Sequence, residues 1–341
     1  MASGQLISPI QLLTSGANPR YRDAFDRGYE VTKQRMGELM ELDIPTDKNV
    51  ENFPFMLAMP HIGAWPTGAA ITEGSAASQS FQVVTRPYGL RVSAREQDVT
   101  LDQVKYLLTS IAQAGASAGW LDERLWAQIV TGATDPTLLP AIPNAADGGS
   151  IFSLTDGAGN PRFAVASSGG TGGNIVQGSG VSSVAQVIND MEGVYALAKR
   201  WQDGQGQPLW NDEVLEGAPA WVVAGAHLQL VMKQAMSQSF IFQDAGGNRA
   251  AAPTNLLQDA SHKLKYWLTQ RIPIGTNSWF VFLTGITRKA IAGTRATQLR
   301  YIYKTPETSD WCADYRTVLM QWDELKGAGV GPAYSCLKVS N

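Results

Sequence analysis

The sequence predicts an α+β fold, in which helices and strands come in blocks and do not alternate strictly. Two segments indicate this most clearly. Residues 100–132 carry apolar side chains at helical spacing, whereas residues 81–94 have the β-branched and aromatic content of a strand. The chain has 341 residues, of which 44% are hydrophobic and 17% charged, so it can build a large core. Its length favours roughly two domains.

The first 49 residues are predicted to form an arm followed by a helix. The arm has no hydrophobic period and ends at Asn18-Pro19, where proline suits the first turn of a helix. Apolar residues then recur at helical spacing, and Pro45 is expected to end the helix. Acidic residues interrupt the basic segment Arg20–Arg35, which indicates a solvated helix face.

Residues 50–96 are predicted to form a long two-stranded β-hairpin. Phe53–Pro60 is an apolar, extended run punctuated by prolines, and Phe81–Ala94 is the second strand-like segment. A two-stranded ribbon is barely stable alone in water, so its apolar side needs a further surface. We expect that the chain does not supply this surface itself and that a second copy covers the hairpin.

A long helix is predicted directly after the hairpin. Thr100 and Gln103 have the spacing of a capping box, and Gly132 is the expected C-cap. The helix would span about 31 residues, or roughly 46 Å. Gly115 and Gly119 weaken its middle by a few tenths to ~1 kcal/mol each, and they indicate a bend or a close crossing of another element.

The rest of the chain is predicted to mix short strands with further helices, without an internal repeat. The predicted helices are 181–200 and 227–236, with a short helical turn at 286–291 and a loop at 239–262. The predicted strands are 150–154, 162–166, 218–224, 279–283, 299–304, 315–322 and 334–339.

No catalytic, cofactor or metal site is predicted. His61, His227 and His262 do not lie at metal-ligand spacing, and the sequence contains neither a phosphate-binding loop nor a G-x-S-x-G nucleophile motif. Cys312 and Cys336 cannot form a disulfide framework, which favours synthesis in a reducing cytoplasm. Because no residue pattern indicates a reaction, we predict that the protein is not an enzyme.

The charge is close to balanced, with 27 Lys and Arg against 30 Asp and Glu and a formal net charge of −3. Proteins that bind DNA tightly through its phosphates usually carry a basic excess, so tight nucleic-acid binding is not expected. Low charge with many aromatic residues is typical of buried protein–protein interfaces, although a large aromatic core would give the same composition. There is no apolar run of about 18 residues and no secretory signal, so no membrane association is expected.

The predicted order of elements is distinctive: an N-terminal arm, a long hairpin and, directly after it, a very long helix that ends at a glycine. The residues that carry this order are Phe81–Thr85, Leu90–Glu96, Trp120–Trp126 and Ile129–Gly132. This order resembles the major capsid proteins of tailed phages, the Hong Kong 97 type fold. The span 50–135 is also similar to phage Mu-type major head subunits.

The resemblance implies a division of the chain into five parts. They are an N-terminal arm with a helix (1–49), an extended-loop β-hairpin (50–96), a peripheral domain with a spine helix at 100–132 (97–217), an axial domain (218–294) and a return to the peripheral domain (295–341).

The resemblance also implies the function and the partners. The chain is expected to assemble with itself, as hexamers and pentamers, into the icosahedral head shell of a bacteriophage virion that encloses double-stranded DNA. The expected partners are a portal, separate scaffolding and cement proteins where these are used, and DNA held by loose contacts. The candidate inter-subunit contact residues are Trp65, Phe81, Val83 and Tyr88.

One departure from the family matters. Some members join their subunits covalently through a lysine in the extended loop, but residues 49–104 of this chain contain no lysine. Its subunits must therefore be held together by non-covalent contacts or by a separate cement protein. Two alternatives stay open. One is an encapsulin-like nanocompartment shell with the same fold, and the other is an α+β hydrolase or sugar-binding protein, suggested only by the 10 tryptophans.

Overall fold

The computed structural model describes residues 18–33, 36–58, 77–95, 97–98, 104–165, 172–202, 206, 208–210, 215, 219–237, 264–284 and 288–341. Its helices are α1 (Asn18–Lys33), α2 (Met36–Leu39), α3 (Val104–Gly119), α4 (Leu121–Thr131), α5 (Val184–Arg200), α6 (Gln229–Ser237) and α7 (Asp310–Tyr315). Its strands are β1 (Glu41–Pro45), β2 (Val50–Ala58), β3 (Ala77–Arg95), β4 (Ala164–Val165), β5 (Ile175–Gln177), β6 (Trp201–Gln202), β7 (Ala220–Gly225), β8 (Leu264–Thr269), β9 (Trp279–Leu283), β10 (Ile291–Lys304), β11 (Thr317–Val330) and β12 (Cys336–Ser340). Within these ranges, no helix combines the length and the apolar character that crossing a membrane requires.

The first sheet has five strands in the order β1-β10-β11-β3-β2. Its centre consists of the long strands β10, β11 and β3, and each of them runs antiparallel to its neighbour. β3 has 19 residues and pairs with β2 through its first part and with β11 through the rest. The pairing of β2 with β3 confirms the predicted hairpin strands and joins them to the main sheet.

The base of the hairpin is buried within its own chain. Phe53, Phe55, Phe81 and Val83 form a cluster with Ala292 of β10, and each of the five is at most 9% exposed. The rings of Phe53 and Phe81 stack with their centroids 5.3 Å apart. The expectation that the chain cannot cover the hairpin's apolar side is therefore wrong for these strands, because β3 continues into a sheet that supplies the cover.

The predicted long helix consists of two helices, α3 and α4, with a break at Trp120. The backbone N–H and C=O of Trp120 keep helical hydrogen bonds, at 3.0 and 2.9 Å, so the break interrupts the helix for one residue only. Gly132 ends α4 at φ 70°, a left-handed conformation that glycine adopts without strain, which confirms the predicted C-cap. The predicted capping box, Thr100 and Gln103, lies outside the described residues.

Helices α1 and α3 cover one face of the first sheet. Phe25 of α1 stacks on Trp322 of β11, with ring centroids 4.2 Å apart and planes 5° apart. Ile111 of α3 joins the same cluster, which also contains Val318 and Met320 of β11. Alternate residues of β11 therefore face the helices, as expected for a strand with one face against a core.

The second sheet has the order β5-β12-β9-β7-β8. All five residues of β9 are buried, as its continuous apolar sequence predicts. Helix α5 packs against α6, β5 and β12. Helix α4 reaches the same core through Trp126, whose ring centroid lies 5.2 Å from that of Trp267 and 5.4 Å from that of Phe282. One apolar core therefore links α4, α5 and the second sheet.

Strand pairing overrides several predicted elements. The first helix does not extend to Pro45, because residues 41–45 form β1 and pair in parallel with β10. Ile291, predicted in a helical turn, begins β10, and Tyr315, predicted in a strand, ends α7. Residues 150–154 form bends and irregular backbone and no strand. Because β10 and β11 pair with each other over most of their length, both strands extend well beyond the apolar runs from which they are predicted.

Candidate assembly interface

The two faces of the hairpin differ in exposure, because side chains alternate across a strand. Val83 is 0% exposed, whereas its neighbour Val84 is 43% exposed. Val50 lies directly opposite Val84 in the register of β2 and β3, and it is also 43% exposed. The outward face of the hairpin therefore presents a cross-strand pair of valines to the surroundings.

Strand β2 is an edge strand of the first sheet, and no described strand pairs with its outer side. An edge strand offers unpaired backbone N–H and C=O groups, which are a template for another chain. Pro54 lies within β2, and proline in a sheet is confined to edges and bulges. We call β2 with Val50 and Val84 the hairpin edge, and it is the candidate assembly interface.

The four predicted contact residues differ in how far the chain itself buries them. Phe81 and Val83 are 2% and 0% exposed, so their side chains are already covered by the chain itself. Tyr88 is half-buried and donates a hydrogen bond from its hydroxyl to the carbonyl oxygen of Leu138, at 2.9 Å. Trp65 lies outside the described residues. A role for these four in contacts between subunits stays a prediction.

Tyr88 connects the second half of β3 to the segment that follows α4. Burial raises the pKa of its hydroxyl to about 12, so the group stays protonated at any physiological pH and keeps donating to Leu138. The hydrogen bond therefore ties β3 to the segment that follows α4.

A buried cluster of charges joins β1, α4, β10 and β11 beside the hairpin. Lys326 Nζ lies 2.5 and 2.6 Å from the two carboxylate oxygens of Asp122, and both side chains are at most 6% exposed. Arg295 Nη2 lies 2.9 Å from Asp43 Oδ1 and 3.3 Å from Glu324 Oε2. We call these five residues the charge cluster. They come from four separate elements, so no sequence motif could have indicated them.

Burial and ion pairing act in opposite directions within the charge cluster. Burial alone would lower the pKa of Lys326, but the carboxylates of Asp122 and Glu324 outweigh it and raise this pKa above its usual range. Burial raises the pKa of Glu324, although Lys326 and Arg295 oppose that shift. Lys326 therefore remains charged and paired with Asp122, which ties α4 firmly to the sheet.

The far end of the first sheet carries an exposed aromatic group on α7. Trp311 and Tyr315 are 42% and 63% exposed, and their ring centroids lie 5.0 Å apart. The guanidinium carbon of Arg91, on β3, lies 4.3 Å from the centroid of the Trp311 ring. Clusters of Trp, Tyr and Arg are typical of the centres of protein interfaces. No sequence motif singles out these residues, although their composition could have indicated them.

The described residues contain no group of three or more His, Cys, Asp or Glu that could hold a metal ion. Burial raises the pKa of the Cys336 thiol to about 12, so this cysteine is not a thiolate at neutral pH. His61 and His262 lie outside the described residues, and His227 lies in the turn that leads into α6.

Comparison with known proteins gives structural matches only. No protein-family model matches the sequence, and no curated protein sequence matches it. A solved chain of Mycobacterium phage Adephagia matches with a TM-score of 0.53 and 13% identity, covering 89% of this chain and 88% of that one. The capsid of an empty GTA particle matches with a TM-score of 0.51 and 12% identity, over 90% of this chain and 89% of that chain.

A third match is the mature capsid of bacteriophage PhiM1, with a TM-score of 0.50 and 10% identity, covering 89% of this chain and 85% of that chain. At such low identity the likeness concerns the fold. The chain has an α+β fold of the Hong Kong 97 type, as the order of its sequence elements predicts.

Proposed function

We propose that the chain is a self-assembling structural subunit of the icosahedral head shell of a tailed bacteriophage, and that it is not an enzyme. The fold carries this proposal: β2 and β3 form a long hairpin, β3 runs on through the main sheet, and α3 and α4 lie on that sheet. Solved chains with this fold, over about 90% of the length, come from capsids.

The hairpin edge supports self-assembly at the level of residues. Val50 and Val84 form an exposed apolar pair on a strand whose outer side has no described partner, and another subunit would cover both features at once. We therefore assign the contact to Val50 and Val84, because the side chains of Phe81 and Val83 are buried in the subunit. Trp311 and Tyr315 offer a second contact surface.

The division into domains follows the two sheets. We assign the first sheet with α1 and α3 to the peripheral domain, and the second sheet with α5 and α6 to the axial domain. Strand β12 pairs with β9, so the last residues of the chain would return to the axial sheet and not to the peripheral one. The range 295–341 is thus shared between the two domains in this proposal.

The nearly balanced charge of the subunit bears on how it would hold DNA. With a net charge of −3 the subunit would hold packaged DNA by loose, non-specific contacts, so that DNA can move during packaging and ejection. Many weak interfaces, repeated in hexamers and pentamers, would supply the stability of the shell. A portal, a scaffolding protein and a cement protein are further proposed partners, in a virion assembled from subunits made in the bacterial cytoplasm.

The test is assembly of the purified full-length chain. Light scattering and negative-stain electron microscopy are expected to show capsomers or closed particles, with or without a co-expressed scaffold. A stable monomer at high concentration under both conditions would contradict the proposal. Genes for a portal and a terminase beside this gene would support a phage head, whereas a cargo-enzyme gene would favour a nanocompartment.

A further inference from the structure

The charge cluster holds more acidic than basic groups. Its three carboxylates, on Asp43, Asp122 and Glu324, face two cations, Arg295 and Lys326. Lys326 holds both carboxylate oxygens of Asp122 and reaches Asp43 only at 3.7 Å, so Asp43 and Glu324 share Arg295. With all five groups ionised the cluster carries one uncompensated negative charge, which burial disfavours.

One nitrogen of Arg295 faces both of these carboxylates and a third acceptor. Nη2 lies 2.9 Å from Asp43 Oδ1 and 3.3 Å from Glu324 Oε2, and it donates a hydrogen bond of 2.9 Å to the Tyr29 hydroxyl. A guanidinium NH₂ has two N–H groups, so three acceptors compete for them. The side chain of Glu324 is 3% exposed and that of Asp43 is 24% exposed, so Asp43 is the carboxylate that can turn toward water.

The remaining charged and titratable groups around Glu324 have other roles. On β3, Tyr88 lies opposite Glu324 and stays protonated, while Arg86 lies opposite Lys326 and forms no ion pair with a described carboxylate. On α4, Arg124 lies 3.6 Å from a carboxylate oxygen of Asp135. The competition for Arg295 therefore depends on whether Glu324 carries a proton.

Asp43 belongs to β1, an edge strand of the first sheet with an irregular attachment. Its register with β10 shifts between Glu41 and Ile44. Asp43 adopts φ 57° there, a left-handed conformation that costs free energy in a residue other than glycine. The ion pair with Arg295 offsets this cost, so loss of the pair loosens β1.

We propose that Glu324 is a proton switch that controls how firmly β1 is held on β10. With a proton on Glu324, Arg295 pairs with Asp43 and β1 is held. Without that proton, Glu324 takes Arg295 and Asp43 turns toward solvent. Residues 46–49 join β1 to β2, so the switch lies at the base of the hairpin edge. It needs only the folded subunit and does not depend on the proposed shell function.

The direction of the switch with pH follows from the surroundings of Glu324. Burial raises the pKa of this carboxyl, Lys326 and Arg295 oppose the shift, and Asp122 and Asp43 add to it. The folded chain therefore keeps the proton above the pH at which an unfolded glutamate has lost it. Attachment of β1 is expected to be firmest at low pH and to weaken as the pH rises through this window.

Hydrogen exchange of β1 tests the switch on the full-length, unassembled chain. Mass spectrometry of peptides that cover residues 41–46 gives the protection of these backbone amides, after correction for the intrinsic effect of pH on exchange. Protection in the wild type is expected to be about tenfold greater at pH 5 than at pH 8, a ratio that β9 in the second sheet should not share. Protection of β1 that is constant or rises with pH would overturn the proposal.

Glu324→Gln removes the switch, because glutamine has the same shape and does not ionise. Its β1 amides are expected to be equally protected at pH 5 and pH 8. The matched control is Glu41→Gln, which removes a 3.0 Å ion pair between β1 and Arg288. It should lower the protection at both pH values and keep the wild-type ratio. A wild-type ratio in folded Glu324→Gln, or loss of the ratio in both variants, would overturn the role of Glu324.

Asp43→Asn decides the question if Glu324→Gln does not fold. Asparagine adopts the left-handed conformation readily, so the backbone of β1 is retained while the charge that pairs with Arg295 is lost. Protection of β1 is expected to stay near the wild-type value at pH 8 under both conditions. A tenfold ratio that persists in Asp43→Asn would overturn the competition for Arg295.

Discussion

Gly28 and Gly115 lie at the point where α1 crosses α3, and each lets the other helix approach closely. A Cβ built on Gly28 would lie 2.1 Å from the carbonyl oxygen of Ala112, and one built on Gly115 would lie 2.1 Å from the carbonyl oxygen of Phe25. Both distances are far below any van der Waals contact, so the two backbones touch. The close approach places Phe25 on Trp322 and holds α1 against the sheet.

Gly115→Ala is expected to destabilise the subunit by about 1–3 kcal/mol, because its methyl group would meet the backbone of Phe25, which cannot rotate away. Gly193→Ala on α5 is the matched control. Its Cβ would lie 3.6 Å from Val176 Cγ1, an ordinary contact, so it should be neutral or stabilise by up to ~1 kcal/mol. Urea unfolding of the unassembled subunit measures both. Equal stability of the two variants would mean that the helices do not cross this closely.

Val84→Asp is expected to reduce assembly while leaving the subunit folded, because Val84 lies on the exposed face of the hairpin edge. Val83→Asp should unfold or strongly destabilise the subunit, since it buries a carboxylate without a partner. The two substitutions are identical and adjacent, so composition and charge are matched. Light scattering measures assembly and thermal unfolding measures stability. Normal assembly of a folded Val84→Asp variant would remove this surface from the proposed interface.

Asp122→Asn is expected to cost about 3–5 kcal/mol of stability, because it leaves the buried ammonium of Lys326 without its nearest carboxylate. The control is Arg300→Gln, which removes a pair with Asp323 in which the arginine side chain is 62% exposed. Exposed pairs contribute about 0–1 kcal/mol. Denaturant unfolding at pH 7 compares the two variants. A similar loss in both would show that Lys326 finds compensation elsewhere.

Stability of the subunit is expected to fall between about pH 10 and pH 12. Burial raises the pKa of Tyr88, Tyr195 and Tyr303 to about 12, so over this window the unfolded chain has released protons that the folded chain still binds. Lys326 contributes in the same direction, because its pKa in the folded chain is raised as well.

Tyr88→Phe tests this pH dependence at one site. At pH 7 it should cost about 0.5–1.5 kcal/mol through loss of the hydrogen bond to Leu138. Between about pH 10 and pH 12 its stability should decline less steeply than that of the wild type, because one proton fewer is linked to unfolding. Chemical unfolding at several pH values gives both quantities. Parallel curves for variant and wild type would mean that Tyr88 titrates normally in the folded chain.

Local patterns predict many elements of this fold. The apolar run Trp279–Leu283 is the strand β9, and Gly132 ends α4 in the left-handed conformation that its position predicts. Gly115, interpreted from the sequence as a bend or a close crossing, lies at a close crossing. Strand β9 and the end of α4 depend on neighbours within a few residues along the chain, and periodicity and capping report such neighbours directly. The helix that crosses at Gly115 comes from a distant part of the chain, and no local pattern identifies it.

Features that depend on distant partners were not predictable. The sequence predicts an uncovered apolar side for the hairpin because nothing near it in the chain can cover it, yet Ala292 of β10 packs on its base. The charge cluster joins residues from four separate elements, and a single sequence does not show which distant residues meet.

Spacing along the chain is enough to predict the α+β class and a hairpin followed by a long helix, and the same spacing contains none of the known catalytic motifs. Which face of β3 is buried and which is free depends on the folded chain. Burial of Val83 and exposure of Val84 follow from the sheet that β3 joins, since alternation defines two faces but only packing chooses between them.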